Sequence, residues 1–417
     1  MKIQSIRDRR LFLVLALPLL CGAYLNPCSR SVGTWPNFVE AGRSEGEALE
    51  LTDTSGIRHV FFYIHWGDQW YDCLGSLCTF KGNTNARSDL QNAVLDGLKN
   101  WAGKDPGRQY NVNIVLNVHQ QRGNPRVGPS HLHFFGERSP ADSAVKQAFN
   151  EFYDEIYEVM RREDFRAVSG DFWELYNIGS ASWLISIGNE VDLFMQDSGD
   201  WSDYANFASS ADIHIKAHNP QLLSVYTGVC QTYYGSAFAN PAGARDLHTI
   251  GDTVVMTYYP LIDCDAAPNL CPDTRTGVHM AEPAQVHGDF GVMGDYLSQV
   301  NAQRAVAATV TLQEVGYPTD GLACPLSLSD DCSPDQRERA QADFVDQLFN
   351  AFRASAGVVD RMTWWSLFDY TGDACDLIWN RPGDPDAAPM FCHMGLARSH
   401  LDTKPAFQRF RAGIDSL

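Results

Sequence analysis

Short apolar runs recur along the chain, and each is followed by a polar loop and then by a stretch with helical spacing. The runs are continuous rather than alternating, which is typical of strands buried on both faces of a parallel sheet. By this criterion the sequence predicts seven strands, at 59–65, 112–119, 183–190, 222–227, 253–259, 307–314 and 362–368.

Two stretches between these runs carry apolar residues at helical spacing, 141–162 and 334–354, and Ser333 is placed to cap the second. Strands that alternate with helices over about 250 residues or more predict an α/β protein with a (β/α)8 TIM barrel. An eighth strand, first in order, is expected between Tyr24 and Phe38, where SVGTWPNF matches the pattern poorly. A doubly wound open sheet is the alternative fold.

The chain has 417 residues, 44% of them hydrophobic, and contains no internal repeat or Pro/Ser-rich linker that would divide it. Residues 24–417 are therefore expected to form a single domain. The formal net charge is −19, so the surface would repel nucleic acid and anionic membranes, and neither is expected as a partner. A monomer is expected.

The N-terminus has the features of an export signal. Basic residues in the first ten positions precede the apolar stretch 11–20, and Cys21-Gly22-Ala23 offers small residues for cleavage. A signal peptide at 1–23 and a secreted or periplasmic protein follow, with lipid anchoring at Cys21 as an alternative that the bulky Leu20 disfavours. No other stretch approaches the ~20 apolar residues of a membrane helix, so no transmembrane span is expected.

Cysteine usage agrees with export, because loss of Cys21 would leave ten of the eleven cysteines, an even number. Several lie in close pairs: Cys73 with Cys78, Cys264 with Cys271, Cys324 with Cys332, and Cys375 with Cys392. Cys28 and Cys230 would remain to join the N-terminal segment to the body. The pairs lack the spacing of zinc sites, so disulfide-stapled loops are expected, although sequence does not prove their connectivity.

Several strands end on polar or aromatic residues, namely His119, Asn189-Glu190, Tyr258-Tyr259 and Glu314. In a barrel the C-terminal ends of the strands converge on one face, where active sites lie. Burial of an unpaired carboxylate is costly, so Glu190 at the end of an apolar strand indicates a side chain that faces a cleft. Two carboxylates about 5 to 5.5 Å apart are what retaining glycoside hydrolysis needs.

The segments SIGNEV and TLQEVGYPT resemble the acid/base and nucleophile strands of the clan A glycoside hydrolases, a group of retaining (β/α)8 enzymes. The resemblance implies that Glu190 is the acid/base, Glu314 the nucleophile, and Asn189 the residue that binds the sugar 2-hydroxyl. It also implies a tyrosine that donates a hydrogen bond to the nucleophile. In the segment TYYPL, Tyr259 is the first choice for this residue and Tyr258 the second. These roles require an ionised Glu314 and a raised pKa at Glu190.

The resemblance covers most of residues 55–412, but the family within the clan is not assigned. EVGYP is similar to the bacterial mannanase and plant-type β-1,3-glucanase branches, and YYP to the galactanases. MTWWSLFDY offers Trp364 and Trp365 for the floor of the sugar subsite. The clan commonly carries an arginine on strand 2 that supports the nucleophile, and FFYIHWGDQW has none, so His65, Arg122 and Arg126 are the candidates for that place.

Further substrate-binding candidates follow the strand ends. His119, His65 and Trp66 are expected to contact sugar, and Asp68 and Asp192 are loop acids that could accept sugar hydroxyls. Aromatic rings stack on the apolar faces of sugars, and about half of the aromatic residues in these loops are expected to do so. Besides Trp66, the aromatic residues in these loops are Trp70, Tyr71, Trp201, Tyr233, Tyr234 and Trp379.

The sequence thus predicts a secreted retaining β-glycoside hydrolase that cleaves a polysaccharide or oligosaccharide by double displacement, without metal or other cofactor. A non-catalytic carbohydrate-binding barrel and a metal-dependent hydrolase on the same fold are the alternatives. His131 and His133 have the spacing of metal ligands, but no matching set of His and Asp accompanies them. The segment SSADIHIKAH is interpreted as an ordinary amphipathic helix without chemistry.

Overall fold

Parallel strands form the central sheet of the protein, as seen in a computed structural model. They are β1 (Ser31–Thr34), β2 (His59–His65), β3 (Asn111–Asn117), β4 (Ser182–Ile187), β5 (Val225–Gly228 and Cys230–Thr232), β6 (Val254–Tyr258), β7 (Val310–Val315) and β8 (Val359–Trp364). The structure describes residues 31–34, 47, 50–51, 59–74, 77–82, 111–119, 126–133, 138–161, 182–195, 197–218, 225–239, 241–265, 271, 278–320, 324–325, 328, 332–378 and 389–417.

The sheet closes on β5, which is interrupted at Val229. Its first half pairs with β4, with Ile185 opposite Thr227, and its second half pairs with β6, with Gln231 opposite Met256. The order β5-β4-β3-β2-β1-β8-β7-β6-β5 therefore returns to the segment from which it starts. The predicted (β/α)8 barrel is confirmed, and the open doubly wound sheet is wrong.

The first strand lies inside the window in which it was expected. β1 pairs in parallel with β8, where Thr34 is opposite Trp364, and with β2, where Thr34 is opposite Val60. This strand has only four residues, and two of them are Ser and Gly, so its hydrophobic pattern is weak in the sequence. It is recognised by its position between β8 and β2 rather than by its composition.

Helices surround the strands as an outer layer. They are α1 (Ser143–Arg161), α2 (Ser198–His218), α3 (Ala242–His248), α4 (Gln285–Asn301), α5 (Pro334–Ala354), α6 (Gly372–Ile378) and α7 (Pro405–Asp415). The predicted helix 334–354 is observed with the same bounds. Ser333 and Gln336 cap it reciprocally, each side chain bonding the backbone N–H of the other, and Pro334 occupies the first turn, where its missing N–H costs nothing.

Alternation along each strand divides inward from outward side chains, because successive Cβ atoms point to opposite faces. On β6, Met256 and Tyr258 pack outward into the main core against the helices, whereas Val255 packs inward against Leu184 and Cys230. The interior of the barrel is filled by side chains rather than open. The functional surface is therefore restricted to the rim at which the strands end.

The four close cysteine pairs form the disulfides expected from their spacing, Cys73–Cys78, Cys264–Cys271, Cys324–Cys332 and Cys375–Cys392. The expectation for Cys230 is wrong, since this residue is a free thiol buried inside the barrel. Its predicted partner Cys28 lies outside the described residues, as does the predicted signal peptide. Among the described helices, none combines the length and the apolar character needed to cross a membrane.

Candidate active site

Glu190 is presented by a tight turn at the C-terminal end of β4. Gly188 has φ +87°, and a Cβ there would lie 2.4 Å from the Tyr204 hydroxyl, so only glycine fits. Glu190 itself has φ 47°, a left-handed conformation uncommon for a residue with a side chain. Such positions cost about 1–3 kcal/mol and cluster at functional sites. From β6, Thr257 Oγ1 donates a 2.7 Å hydrogen bond to the Glu190 carboxylate.

A β-bulge in β7 sets the direction of Glu314. Leu312 is opposite Met256 on β6, but Glu314 is opposite Thr257, so one extra residue, Gln313, is inserted. Simple alternation would turn Glu314 outward, as it turns Leu312, and would place its carboxylate among the helices. The bulge brings Glu314 to the inner side, next to the residue that bonds Glu190.

Glu314 is 4% exposed, and its carboxylate accepts hydrogen bonds on both oxygens. The Tyr259 hydroxyl donates to Oε2 at 2.5 Å, and the Tyr63 hydroxyl donates to Oε1. The Asn189 side chain also bonds Glu314, while its Oδ1 accepts a 2.7 Å bond from Gln313 Nε2. Gln313, which precedes Glu314 in the chain, thus orients the Asn189 amide that contacts the Glu314 carboxylate.

Burial, and after it the charge of Glu190, raise the pKa of Glu314 to about 8, whereas the bonds from Tyr259, Tyr63 and Asn189 lower it. The sequence predicted an ionised Glu314, and this raised pKa differs from that expectation. The difference arises because Glu314 is the more deeply buried carboxylate. The influence of Glu190 on this pKa shows that the two acids lie close enough to titrate as a pair.

Tyr63 is the functional-site residue that the sequence analysis missed. It lies on β2, where the resemblance called for an arginine, and the donor that β2 supplies to Glu314 is this phenol. His65, the candidate from the same strand, is exposed, and Arg126 lies after β3. Arg122 is outside the described residues. Tyr63 and His65 share one face of β2 by alternation, and this was the signal that could have identified Tyr63.

Alternation also separates the two paired aromatic candidates. Tyr259 faces Glu314, but Tyr258 points outward, where its hydroxyl donates a 2.6 Å bond to Asp289. Trp365 faces inward and packs edge-to-face on Tyr63 at 5.8 Å, whereas Trp364 lies in the outer core and donates to the Met394 carbonyl at 2.9 Å. The prediction of Tyr258 and Trp364 as sugar-contacting residues is corrected, because both occupy the helix side of the sheet.

Most of the loop aromatics pack the loops rather than line a cleft. Trp66 is fully buried and stacks on Phe152 and Phe207, so the expectation that it contacts sugar is wrong. The side chains that are equally withdrawn from solvent are Trp70, Tyr71 and Tyr233. Trp201 and Tyr234 are half-buried, and Trp379 lies outside the described residues.

His119 follows β3 and is 3% exposed. Its ring stacks on Phe194 at 4.0 Å with an interplanar angle of 2°, and on Tyr204 at 5.2 Å. Burial lowers the pKa of His119 to about 3, so the imidazole is neutral at ordinary pH. Within the described part of the chain neither ring nitrogen has a hydrogen-bond partner. His119 is thus a buried aromatic support behind the site.

The two loop acids hold the rim together. Asp192 accepts bonds from the backbone N–H of Thr232, at 2.6 Å, and from the Thr232 hydroxyl, so it ties the Glu190 turn to the end of β5. Burial raises the pKa of Asp192 to about 7. Asp68 accepts a 2.6 Å bond from the Ser130 N–H and a 2.8 Å bond from its hydroxyl. Both carboxylates are engaged by protein groups.

The His131 and His133 pair does not form a metal centre with neighbouring described residues. His131 lies near Cys73 and Cys78, but these two are joined in a disulfide and offer no thiolates. His133 Nε2 is 3.1 Å from the Val127 carbonyl, so it is occupied within its own loop.

The fold and the rim together define a closed (β/α)8 barrel with two carboxylates at the C-terminal ends of β4 and β7. No protein-family model matches the sequence, and no curated protein sequence matches it. Solved structures do match. The GH5_18 enzyme from Streptomyces cattleya in complex with GlcNAc has a TM-score of 0.58 and 15% identity, over 93% of this chain and 80% of that chain.

A variant of the same enzyme in complex with Manβ1-4GlcNAc has a TM-score of 0.56 and 14% identity, with the same coverage of 93% and 80%. The GH39 enzyme from Xanthomonas axonopodis pv. citri has a TM-score of 0.52 and 13% identity, over 91% of this chain and 64% of that chain. These families belong to the clan A retaining glycoside hydrolases. The resemblance drawn from the sequence is confirmed at the level of the fold.

Proposed function

We propose that the protein is a retaining β-glycoside hydrolase, with Glu314 as the nucleophile and Glu190 as the acid/base. The observation that carries the proposal is the set of contacts at the rim. Thr257 of β6 bonds the carboxylate at the end of β4, and Tyr259, directly after β6, bonds the one near the end of β7. Residues 24–417 would form the catalytic domain. Four disulfides support secretion, for which residues 1–23 would serve as the signal peptide, and the protein would act as a monomer.

In the first step Glu314 attacks the anomeric carbon while Glu190 gives its proton to the departing glycosidic oxygen. The bond from the anomeric carbon to that oxygen breaks, and a glycosyl ester to Glu314 forms. Both oxygens of Glu314 accept phenol hydrogen bonds, and these bonds favour the ionised form of Glu314. Together with the third donor, Asn189, they lower the pKa of Glu314 against the effect of burial, and the reaction proceeds from the form in which Glu190 carries the single proton of the pair.

In the second step water attacks the anomeric carbon and Glu190 accepts its proton. Esterification removes the charge of Glu314, and this ends the repulsion that favoured protonation of Glu190. Tyr63 and Tyr259 then donate to the ester oxygens, and they stabilise the carboxylate again as it leaves. Asn189, held by Gln313, is placed to bond the sugar 2-hydroxyl, and Trp365 offers an inward ring beneath the subsite.

Azide rescue of truncated variants tests both roles in one experiment. With an activated aryl β-glycoside, Glu314→Ala is expected to lose turnover, and azide should restore it by attack on the vacated face, which yields the α-glycosyl azide. Glu190→Ala should still form the glycosyl enzyme, which azide then opens to the β-glycosyl azide. Anomeric configuration is read by NMR spectroscopy.

Asp68→Ala is the control, because Asp68 is an acid of the same rim whose oxygens bond Ser130. It should keep turnover and need no azide. The proposal is overturned if Glu314→Ala turns over like the wild type, or if the first product of wild type is inverted. A carbohydrate-binding barrel without catalysis would show sugar binding but no turnover in any variant.

We look for the substrate among β-linked sugars, because the matched structures hold GlcNAc or Manβ1-4GlcNAc. The inward ring of Trp365 also suits the apolar face of a pyranose. The screen covers β-glucans, mannans, galactans, xylans and Manβ1-4GlcNAc, with Glu314→Ala as the blank. Activity on none of them, in a protein shown to be folded, would count against hydrolysis of these sugars.

A further inference from the structure

A cluster of two histidines and an aspartate lies in the outer helical layer, between α1 and α2. Asp154 belongs to α1, and His214 and His218 are one turn apart on α2. Their ligand atoms all lie within 4.8 Å of one another. α2 starts after the C-terminal end of β4 and runs back along the barrel, so its last turns lie towards the opposite face from Glu190.

We propose that Asp154, His214 and His218 bind a divalent transition-metal ion, Zn²⁺ by its ligand preference. Asp154 Oδ1 is 2.7 Å from His214 Nε2 and 3.6 Å from His218 Nε2. In a tetrahedral site with bonds of about 2.0–2.1 Å, neighbouring ligand atoms stand roughly 3.3 Å apart. The observed separations bracket this value, so a small rotation of the Asp154 side chain would complete three corners of the site.

The hydrogen bond made by His218 Nδ1 leaves Nε2 of the same ring available as a metal ligand. His218 Nδ1 lies 3.1 Å from the carbonyl of His214 and can only donate to it, so Nδ1 carries the proton. In the neutral ring Nε2 then presents a lone pair towards Asp154, itself an acceptor. Two acceptors that face each other need a proton or a cation between them. A backbone carbonyl that fixes the outer nitrogen is the usual support of a metal-binding histidine.

Aromatic neighbours on α1 pack against the two imidazoles of the cluster. Both histidines and Asp154 are half-buried. Tyr153 packs edge-to-face on His214 at 6.1 Å, and Tyr157 on His218 at 6.0 Å, so α1 holds the two imidazoles in place. Two imidazoles and one carboxylate select Zn²⁺, Co²⁺, Ni²⁺ or Cu²⁺ over Mg²⁺ and Ca²⁺, which prefer all-oxygen sites.

The bound ion would clamp α1 to α2 and stabilise the outer layer of the barrel, without taking part in hydrolysis. The full mature chain, stripped of metal by a chelator, is titrated with Zn²⁺ by calorimetry and in thermal unfolding. One equivalent is expected to bind, and at 100-fold excess over Kd the Tm should rise by about 3–6 °C. With Co²⁺ in place of Zn²⁺, visible absorption bands of a four-coordinate site should appear.

His218→Ala and Asp154→Asn should each weaken Zn²⁺ binding by more than the roughly 10- to 100-fold that loss of an outer partner causes. Asp154→Asn keeps a hydrogen-bonding partner for His214, so it separates metal binding from simple pairing. His287→Ala is the matched control, an exposed histidine of α4 bonded to Gln347, and His131→Ala controls for the disulfide loop. Both controls should bind like wild type.

Unchanged Zn²⁺ affinity in His218→Ala and Asp154→Asn would overturn the proposal, as would the lack of any Tm rise in wild type. Because the readouts are heat and unfolding temperature, they are independent of turnover. A chelator should lower the Tm and leave hydrolysis intact, so this site and the proposed hydrolase can fail separately.

Discussion

The phenol of Tyr63 on β2 donates a hydrogen bond to the carboxylate of Glu314 on β7, across 251 residues of chain. A neutral donor thus occupies the place where the clan A resemblance called for a cation. Burial, and after it the charge of Glu314, raise the pKa of Tyr63 well above its usual value, so the hydroxyl keeps its proton and acts as a donor. The bonds from Tyr63, Tyr259 and Asn189 are oriented dipoles that lower the pKa of Glu314 and so stabilise its charged form.

Removal of the Tyr63 hydroxyl should slow catalysis more than it weakens substrate binding. A hydrogen bond to a charged group contributes about 1.5–3 kcal/mol, so Tyr63→Phe is expected to lower kcat by about 10- to 100-fold with little change in KM. Tyr259→Phe should have an effect of the same size. Steady-state kinetics on an aryl β-glycoside provide the measurement.

Tyr258→Phe is the matched control, since Tyr258 adjoins Tyr259 in the chain but bonds Asp289 on the helix side. It should lower the free energy of unfolding by about 1 kcal/mol and leave kcat unchanged. Equal loss of activity in Tyr258→Phe and Tyr63→Phe would show that general destabilisation, and not the bond to Glu314, is responsible.

Thr257 links the two carboxylates, because it donates to Glu190 and lies opposite Glu314 in the β6–β7 ladder. Thr257→Val keeps the shape and removes the hydroxyl, so the acid/base should be less well positioned. Hydrolysis of substrates with poor leaving groups should fall by about tenfold, whereas activated aryl glycosides, which need little acid assistance, should be almost unaffected. Uniform loss across leaving groups would contradict a role at Glu190.

Gly188 should be irreplaceable for a steric as well as a conformational reason. Its φ is +87°, and an added Cβ would meet Tyr204 and Val191 at 2.4 and 2.5 Å. Gly188→Ala should therefore move the Glu190 turn and lower kcat by about tenfold or more, with a reduced Tm. Gly357 has φ +85° but nothing within 4 Å of an added Cβ, so Gly357→Ala measures the cost of the backbone conformation without a steric clash. That variant should lose only about 1 kcal/mol of stability and no activity.

Glu314→Gln should stabilise the folded protein in a pH-dependent manner. The pKa of Glu314 is raised from 4.5 to about 8, so between these values the folded protein keeps a proton that the unfolded chain has lost. Unfolding of wild type then releases a proton, and its free energy of unfolding falls as the pH rises through this window. The variant lacks this loss and should be more stable by about 1 kcal/mol or more at pH 8.

Below about pH 4 the Glu314 side chain is protonated in both the folded and the unfolded wild-type protein. The stability advantage of the variant should therefore vanish there. Chemical denaturation at pH 4, 6 and 8 measures the difference, and effects of the overall negative charge cancel between the two proteins. A constant or reversed difference would refute the raised pKa.

The strands and the polar residues at their ends were predictable because buried strands appear in the sequence as continuous apolar runs. Apolar runs such as HVFFYIH are long enough to be recognised, and β2 is observed with its predicted bounds. Glu190 and Glu314 were expected to face a cleft because a carboxylate that follows such a run is costly to bury, and both lie where their strands end. β8 was less well predicted, because its apolar run 362–368 continues past Trp364, where the strand ends. The run continues there because Leu367 and Phe368 still pack into the core.

Predictions about individual neighbours failed where two adjacent residues were equally apolar. Tyr258 and Tyr259, or Trp364 and Trp365, look alike in composition, and only the phase of each strand relative to the barrel decides which one faces the rim. The same holds for Cys230, which the even number of cysteines left to pair with Cys28, although its side chain points into the barrel. The helix of His214 and His218 looked unremarkable because Asp154 is supplied by another helix.

The sequence by itself predicted the class of the fold, the four close cysteine pairs among the described residues and the two glutamates at strand ends, because each depends on burial or on short separations along the chain. The tertiary structure decided that Glu314 turns inward, that Tyr63 rather than an arginine bonds it, and that α1 and α2 share a histidine and aspartate cluster. These features depend on a bulge, on strand register and on helix packing, which bring together residues far apart in the chain and leave no periodic trace in it.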